Sequence, residues 1–391
     1  MHNFNNVTQT QFFFGPNQEN EVGRQIKYLG GSKVLLHYSK ENILIVNLLD
    51  KVKRSLKTSG LDYVELGEVA SNPRIETVFD GIKLCKNEHV DFILAIGAQA
   101  ECASAKVIAA GAMFEDNFYD MFKPGCELDE VLPVAVISTT ICGGSATSTS
   151  VAVSHKLDDG SLTFYECNSS LLSPKFIIYN PELCQYDNLN LEYSFIRILT
   201  LLFSIYFSVN KSTVLADRVI ESTIKTVLLM YNKLKEKNND LEYISNLMWA
   251  SLSVHVSPMY NLSLDNCVNI LTRAIVSAFD CTNEQASSLV IPAWFEFVLK
   301  KKTSRIAQLG SAVFNIPYNF SDVDSTAVQT VAKIKSLFEN IGLPVKLGDL
   351  NGTGADIERI LFKAGFPEKD SIGNNDKFSK TDCEVILSLT L

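Results

Sequence analysis

The sequence has no C-x-x-C pair, and no two of its five histidines stand three or four residues apart. Paired thiols at that spacing build zinc sites, and two imidazoles reach one ion from a single helix only at spacings of three or four. His2, His37, His89, His155 and His255 are isolated, and Cys267 and Cys281 stand fourteen apart with no His or carboxylate pattern beside them. The residues by themselves therefore outline no transition-metal site. A long apolar run free of charge is also absent. The most apolar stretch, Phe195 to Val209, contains Arg197 and two serines; it is too short to cross a bilayer and reads as a buried helix. Met1 to Thr10 is polar and lacks the apolar centre of a secretory signal. Basic residues are scattered, apart from Lys300, Lys301, Lys302 and Arg305, which read as the solvated end of a helix. With a net charge of −9 and no basic stripe, neither nucleic acid nor membrane is expected as a partner. The nine cysteines are expected as free thiols in a cytoplasmic protein.

The chain does have enough apolar residues, 46% of 391, for two substantial cores. Its first half alternates in type. Lys33–Tyr38 reads as a strand, Asn42–Ser59 as an amphipathic helix and Tyr63–Leu66 as a second strand. Arg74–Asn87 has helical spacing, Val90–Ile96 is a continuously apolar strand, Glu101–Met113 is helical and Leu132–Thr139 is another buried strand. Such alternation builds a parallel sheet wrapped by helices. After about Cys184 the character changes. Glu192–Val209, Ser212–Glu236, Leu241–Val256, Asp265–Ala278, Asn283–Lys302, Thr326–Ile341 and Ala355–Ala364 have helical periods, and no strand is expected among them. The reading is an α/β domain over residues 1–184 followed by an all-α domain over 185–391.

In a parallel α/β sheet, ligands sit beyond the carboxyl ends of the strands, where helix N-termini offer free N–H groups. Two loops qualify, Gly97-Ala98-Gln99-Ala100-Glu101 and Thr140-Ile141-Cys142-Gly143-Gly144-Ser145. The second has the glycine density of a phosphate cradle. In the first, Glu101 falls in the first helical turn, where its carboxylate satisfies the helix dipole and repels a phosphate.

Segments along nearly the whole chain resemble the iron-containing alcohol dehydrogenase family, in particular its butanol-dehydrogenase-like branch. They are Thr10-Gln11-Phe12-Phe13-Phe14-Gly15, Lys33-Val34-Leu35-Leu36, Asn72-Pro73-Arg74-Ile75-Glu76-Thr77-Val78 and Val90 to Gly97. Further on come Ser173-Pro174-Lys175-Phe176, Asn180-Pro181-Glu182-Leu183, Asn246 to Ser251, Pro292-Ala293-Trp294, Ile341-Gly342-Leu343-Pro344 and Ile372-Gly373-Asn374. The resemblance implies a dehydroquinate-synthase-like two-domain fold, with a Rossmann-like N-terminal domain, a helical C-terminal domain and the active site between them. It also implies NAD(P) and a divalent metal acting as a Lewis acid on the alcohol or aldehyde oxygen.

Carried over residue by residue, the resemblance places the family's Asp and His ligands, one helical turn apart, at Arg197 and Leu201. Two histidine ligands fall at Asn269 and Asn283. A fixed cation repels a divalent metal, and Asn is a poor substitute for imidazole. Among the cofactor positions, Gly97, Thr140, Gly144 and Ser145 match and Lys106 matches a lysine. The family's glycine-rich stretch is Gly97-Ala98-Gln99-Ala100, an Asp is Ala103, a Glu is Ala146, a lysine is Phe164, and an earlier glycine-rich segment is Ser39-Lys40-Glu41-Asn42. The retained glycines and Pro292-Ala293-Trp294 have a plain structural reading, since the fold itself needs them. The favoured expectation is a catalytically silent scaffold acting as a binding, regulatory or subunit-partner protein. No cofactor is expected, NAD(P) is a weaker option and a metal is not expected. The alternative is an NAD(P)-dependent alcohol dehydrogenase or aldehyde reductase with a rebuilt or metal-free site using Arg197, Tyr193 or His255. Arg197 would either open a cationic pocket for an anion or pair with a local carboxylate. A homodimer, or a heterodimer with a related subunit, is expected through the edge strand Gln11–Phe14.

Overall fold

The computed structural model describes residues 10–39, 43–67, 69–184, 188–208, 214–237, 240–256, 267–366, 368–374 and 376–391. Of the segment Ser39–Asn42, residues 40–42 lie outside these. Six strands form one parallel sheet: β1 (Gln11–Phe14), β2 (Lys33–Tyr38), β3 (Asp62–Leu66), β4 (Phe92–Gly97), β5 (Val134–Ser138) and β8 (Phe176–Tyr179), in the order β1-β8-β5-β4-β2-β3. Helices α1 (Val22–Tyr28), α2 (Ile43–Thr58), α3 (Ile75–Asn87) and α4 (Gln99–Met113) are interleaved with them. From β2 the chain steps outward to β3, then returns to the other side of β2 as β4. The strand order thus reverses between β2 and β4, and the carboxyl ends of these strands, at Tyr38 and Gly97, flank the crevice where such folds take ligands.

Alternation along the strands divides the interior. Phe92, Leu94, Ile96, Ala135, Ile137 and Ile178 pack with Val22, Ile26, Leu48 and Val52 of α1 and α2. Ile93, Ala95, Val134, Val136 and Ile177 face the opposite way, into a core continuous with that of the helical half. A period of two, with both faces buried, is what a central parallel strand requires. An antiparallel hairpin, β6 (Ser150–Lys156) and β7 (Leu162–Asn168), leaves the main sheet and meets the helical half.

That half comprises α5 (Asn188–Phe207), α6 (Val214–Glu236), α7 (Leu241–Val256), α8 (Cys267–Phe279), α9 (Asn283–Val298), α10 (Thr303–Phe314), α11 (Val323–Glu339), α12 (Ile357–Lys363) and α13 (Lys380–Ser388). It departs from the sequence reading in three ways. A two-residue strand pair, β9 (Ser371–Ile372) with β10 (Phe378–Ser379), closes ahead of α13, where no strand is expected. The segment 283–302 ends four residues early, and α10 begins directly after the turn. Of the basic cluster, Lys300–Lys302 sit on that turn and Arg305 lies in the first turn of α10; Lys302 pairs with Asp376, and Arg305 grips Asp217 through two nitrogens at 2.5 and 2.6 Å. Among the described residues no helix is long and apolar enough to cross a membrane.

Candidate active site

The loop after β4 is closed on itself. Gly97 has φ +152, in the region that favours glycine, and a Cβ there would stand 2.5 Å from the Glu101 carboxyl carbon. The buried Glu101 carboxylate turns back to accept the Ala98 N–H at 2.9 Å. An acid in the first turn thus satisfies one donor of the α4 N-terminus internally. The neighbouring N–H groups of Gln99 and Ala100 have no protein acceptor among the described residues.

The loop after β5 is tied in from both halves. The Thr139 N–H donates to Gly97 O at 3.0 Å, and the Thr140 and Ser194 hydroxyls meet at 3.4 Å. Gly144 donates its N–H to Ser251 Oγ at 3.3 Å; a Cβ there would stand 2.5 Å from Ser251 O and from His255 Cδ2. Close packing on α7 therefore explains this glycine. Ser145 is half-buried in the same turn. Buried Lys106 reaches across from α4 to Ala146 O at 2.7 Å and Ser148 O at 2.6 Å, holding the loop down; desolvation pushes its pKa below the usual lysine value. Phe164 lies on β7 beneath the Arg273 guanidinium, 5.6 Å from its ring centre.

Beside this loop is the residue that the resemblance makes most conspicuous. The Arg197 guanidinium contacts Glu284 Oε1 in an ion pair between α5 and α9. Glu284 is 7% exposed and the Arg197 side chain 25%, so the pair is largely interior and the arginine keeps the greater share of the exposure. Burial opposes the Arg197 charge, but Glu284, and then Cys142, more than offset it and hold its pKa above the ordinary arginine value. The cation has found a local carboxylate. Leu201, one turn on, is half-buried against the core, and Asn269 and Asn283 are half-buried on α8 and at the start of α9. Cys142 accepts from Ser251 Oγ at 3.5 Å, and burial pushes its thiol up to about 11. Desolvation, then the Arg197 and Lys106 charges, lower His255 to about 4, leaving its imidazole neutral at pH 7. Tyr193 packs half-buried on α5.

Sequence reasoning misses Glu284, because an acid just after the helix cap Thr282 reads as ordinary N-terminal charge. It misses a clasp beside it too. Asp280, at φ +50, accepts from Arg74 at 3.0 and 2.9 Å, Asn72 at 3.1 Å and Lys156 at 3.2 Å, and Asn72 also donates to Cys281 O at 3.3 Å. The sheet half thereby fixes the entry to α9, and with it Glu284.

Family models describe the two halves separately. Residues 9–181 match the iron-containing alcohol dehydrogenase model and residues 194–391 the C-terminal model of the Fe-containing alcohol dehydrogenase family. The chain belongs to the iron-containing alcohol dehydrogenase family. It is 30% identical over 345 residues to NADH-dependent butanol dehydrogenase B of Clostridium acetobutylicum, covering 87% of each chain. It is 24% identical to the NADPH-dependent aldehyde reductase YqhD of Escherichia coli, covering 96% of each. The crystal structure of NADH-dependent butanol dehydrogenase A from Thermotoga maritima has the same fold, with a TM-score of 0.91 at 23% identity, covering 100% of this chain and 99% of that one.

These relatives correct two expectations. A catalytically silent scaffold is overturned, because proteins similar over most of this length carry the names of dehydrogenases and a reductase. The expectation of no cofactor, with a metal not expected, is overturned as well, since the family is named for iron and these relatives for NADH or NADPH. Substituted side chains are a poor measure of lost activity when the surrounding site has been rebuilt. The two groups nevertheless fare differently against the residues present. A cation, an alkyl chain and two carboxamides stand at the four positions where the resemblance puts the ligands. Among the described residues no three His, Cys, Asp or Glu side chains gather closely enough to hold a metal ion. This donor set does not fit iron. The residues present are compatible with a dinucleotide: the N–H groups of Gln99 and Ala100, without a protein acceptor among the described residues, lie at the reversal point of the sheet, where folds of this kind take ligands.

Proposed function

We propose that this member of the family is an NAD(P)-dependent oxidoreductase interconverting small alcohols and aldehydes, with its reaction centre rebuilt around Arg197 and Glu284. The observation that carries the reading is similarity over 87% of the chain to an NADH-dependent butanol dehydrogenase. The crevice between β2 and β4 supports it. Gly97, Gln99 and Ala100 would hold the dinucleotide phosphates, and Thr140, Gly144 and Ser145 would bound the nicotinamide end. Bound there, the nicotinamide supplies or accepts the hydride. Lys106 keeps the second loop in place through Ala146 and Ser148. Thr140 and Ser194 join the loop to α5, and so to Arg197. Neutral His255 and protonated Cys142 add no charge of their own to those of the ion pair and Lys106.

Pairing of two copies, or of this chain with a related subunit, through edge strand β1 belongs to the same reading. So does a cytoplasmic location, which nine free thiols support. One preparation tests the activity. NADH and NADPH are titrated by fluorescence, the reduction of butanal is followed at the dinucleotide absorbance, and metal content is measured alongside. Micromolar dinucleotide binding with turnover is expected. A well-folded sample that binds neither dinucleotide and turns over no aldehyde would sink the reading.

A further inference from the structure

Arg197 carries five N–H donors, and Glu284 accepts from one nitrogen of the guanidinium; no other acceptor engages it among the described residues. The side chain remains a quarter exposed, whereas its carboxylate partner is interior. The guanidinium is anchored through one nitrogen and keeps N–H donors without an acceptor among the described residues.

Its position gives those donors a use. Ser194, one turn before Arg197 on α5, meets Thr140 at 3.4 Å in the loop directly beyond β5, the strand next to β4 at the crevice. The Asp280 clasp fixes the entry to α9, Thr282 caps that helix by accepting from Gln285 at 3.2 Å, and Glu284 stands in its first turn. The guanidinium is thus oriented before any substrate arrives, the condition under which a charged donor stabilises developing charge most effectively.

Resting on the oxidoreductase reading above, we infer that Arg197 is a catalytic residue whose free N–H groups bind and polarise the substrate carbonyl oxygen, with Glu284 as its positioning partner. In aldehyde reduction the carbonyl carbon gains a hydride from the reduced dinucleotide, and the carbon–oxygen π electrons move to oxygen. Arg197 stabilises that oxygen, which then takes a proton from solvent; the alcohol and the oxidised dinucleotide result. Alcohol oxidation reverses each transfer.

The test uses the full chain with Arg197→Ala and Glu284→Gln combined, so that no buried carboxylate is left unpaired. Dinucleotide affinity and the kcat for butanal are measured separately, with and without added guanidinium ion. The expected result is a loss of roughly 100-fold in kcat, dinucleotide affinity within roughly threefold of the parent, and partial recovery with guanidinium but not with ammonium. A kcat within roughly threefold of the parent overturns the inference, as does a loss that guanidinium does not relieve or one accompanied by lost dinucleotide binding. In those cases the activity of the parent chain upholds the oxidoreductase reading. A parent chain that neither binds dinucleotide nor reduces aldehyde overturns both.

Discussion

Removing the Asp280 carboxylate should loosen the joint between the two halves of the molecule, and the structure sets the size of the effect. Asp280→Ala deprives Arg74 of two acceptor contacts and Asn72 of one, while Arg74 keeps Ser154 Oγ at 3.0 Å and Asn72 keeps Cys281 O. Lys156 is 56% exposed and contributes little. The Arg74–Asp280 pair, 21% and 23% exposed, dominates. A hydrogen bond to a charged group is worth about 1.5–3 kcal/mol; partial exposure sets the expected loss near 2 kcal/mol. Asp280→Asn keeps an acceptor and tolerates the positive φ, so it should cost about half as much. The effect has a pH dependence of known sign. Burial opposes ionisation of Asp280, but Asn72, Arg74 and Lys156 outweigh it and hold its carboxyl below the usual aspartate value. The contribution is therefore complete above the unfolded pKa, about 3.9, and is lost as pH falls through the lower folded value. Urea unfolding of parent, Asp280→Ala and Asp280→Asn at pH 7 and pH 3.5 checks this on the first transition. Differences below about 0.5 kcal/mol at pH 7, or differences that do not shrink in acid, would refute the reasoning.

Glu101→Gln removes a carboxylate from the mouth of the dinucleotide crevice and should tighten NADH binding by roughly two- to fivefold in a fluorescence titration at low salt; unchanged affinity would mean that the phosphates lie elsewhere. Gly144→Ala drives a methyl group to 2.5 Å from Ser251 O and should destabilise by about 1–3 kcal/mol; an unchanged melting temperature would contradict the close approach to α7. His255, held at about 4, stays neutral while its unfolded counterpart takes a proton, so parent stability should fall as pH drops from about 6.5 towards 4. His255→Gln should fall less over that window; parallel melting curves for the two would sink the assignment.

The sheet was legible in Lys33–Tyr38 and Val90–Ile96 because strands buried on both faces are continuously apolar, which few other elements are. The β6–β7 hairpin was not. Its residues are of mixed burial, its turn Asp158-Asp159-Gly160 looks like any surface loop, and its packing on α8 depends on contacts such as Ser277 to Leu162 more than 100 residues apart. Helix α10 was hidden because neither proline nor glycine marks its separation from α9, and an unbroken helical period reads straight into the Lys300–Lys302 turn. The resemblance singled out Arg197, Leu201, Asn269 and Asn283, since spacing from Tyr206-Phe207 and Pro292-Ala293-Trp294 is a local property. What those substitutions do together is not local. Glu284 becomes the partner of Arg197 only when α5 and α9 pack, 87 residues apart in the chain.

That pairing changes how the substitutions count. Taken singly, an arginine where the resemblance puts an aspartate is a lost ligand and a repelled metal. Beside an interior carboxylate on α9 it is half of an ion pair. A buried glutamate without a cation, or a buried cation without the glutamate, is costly, whereas the two together can be accommodated. Arg197 and Glu284 are therefore best regarded as one exchange of site chemistry. Erosion would leave an unpaired charge at this place, and here the two charges are paired with each other. A fixed, charged donor stands there, and on the function proposed above the departures from the metal-ligand pattern are parts of a rebuilt reaction centre.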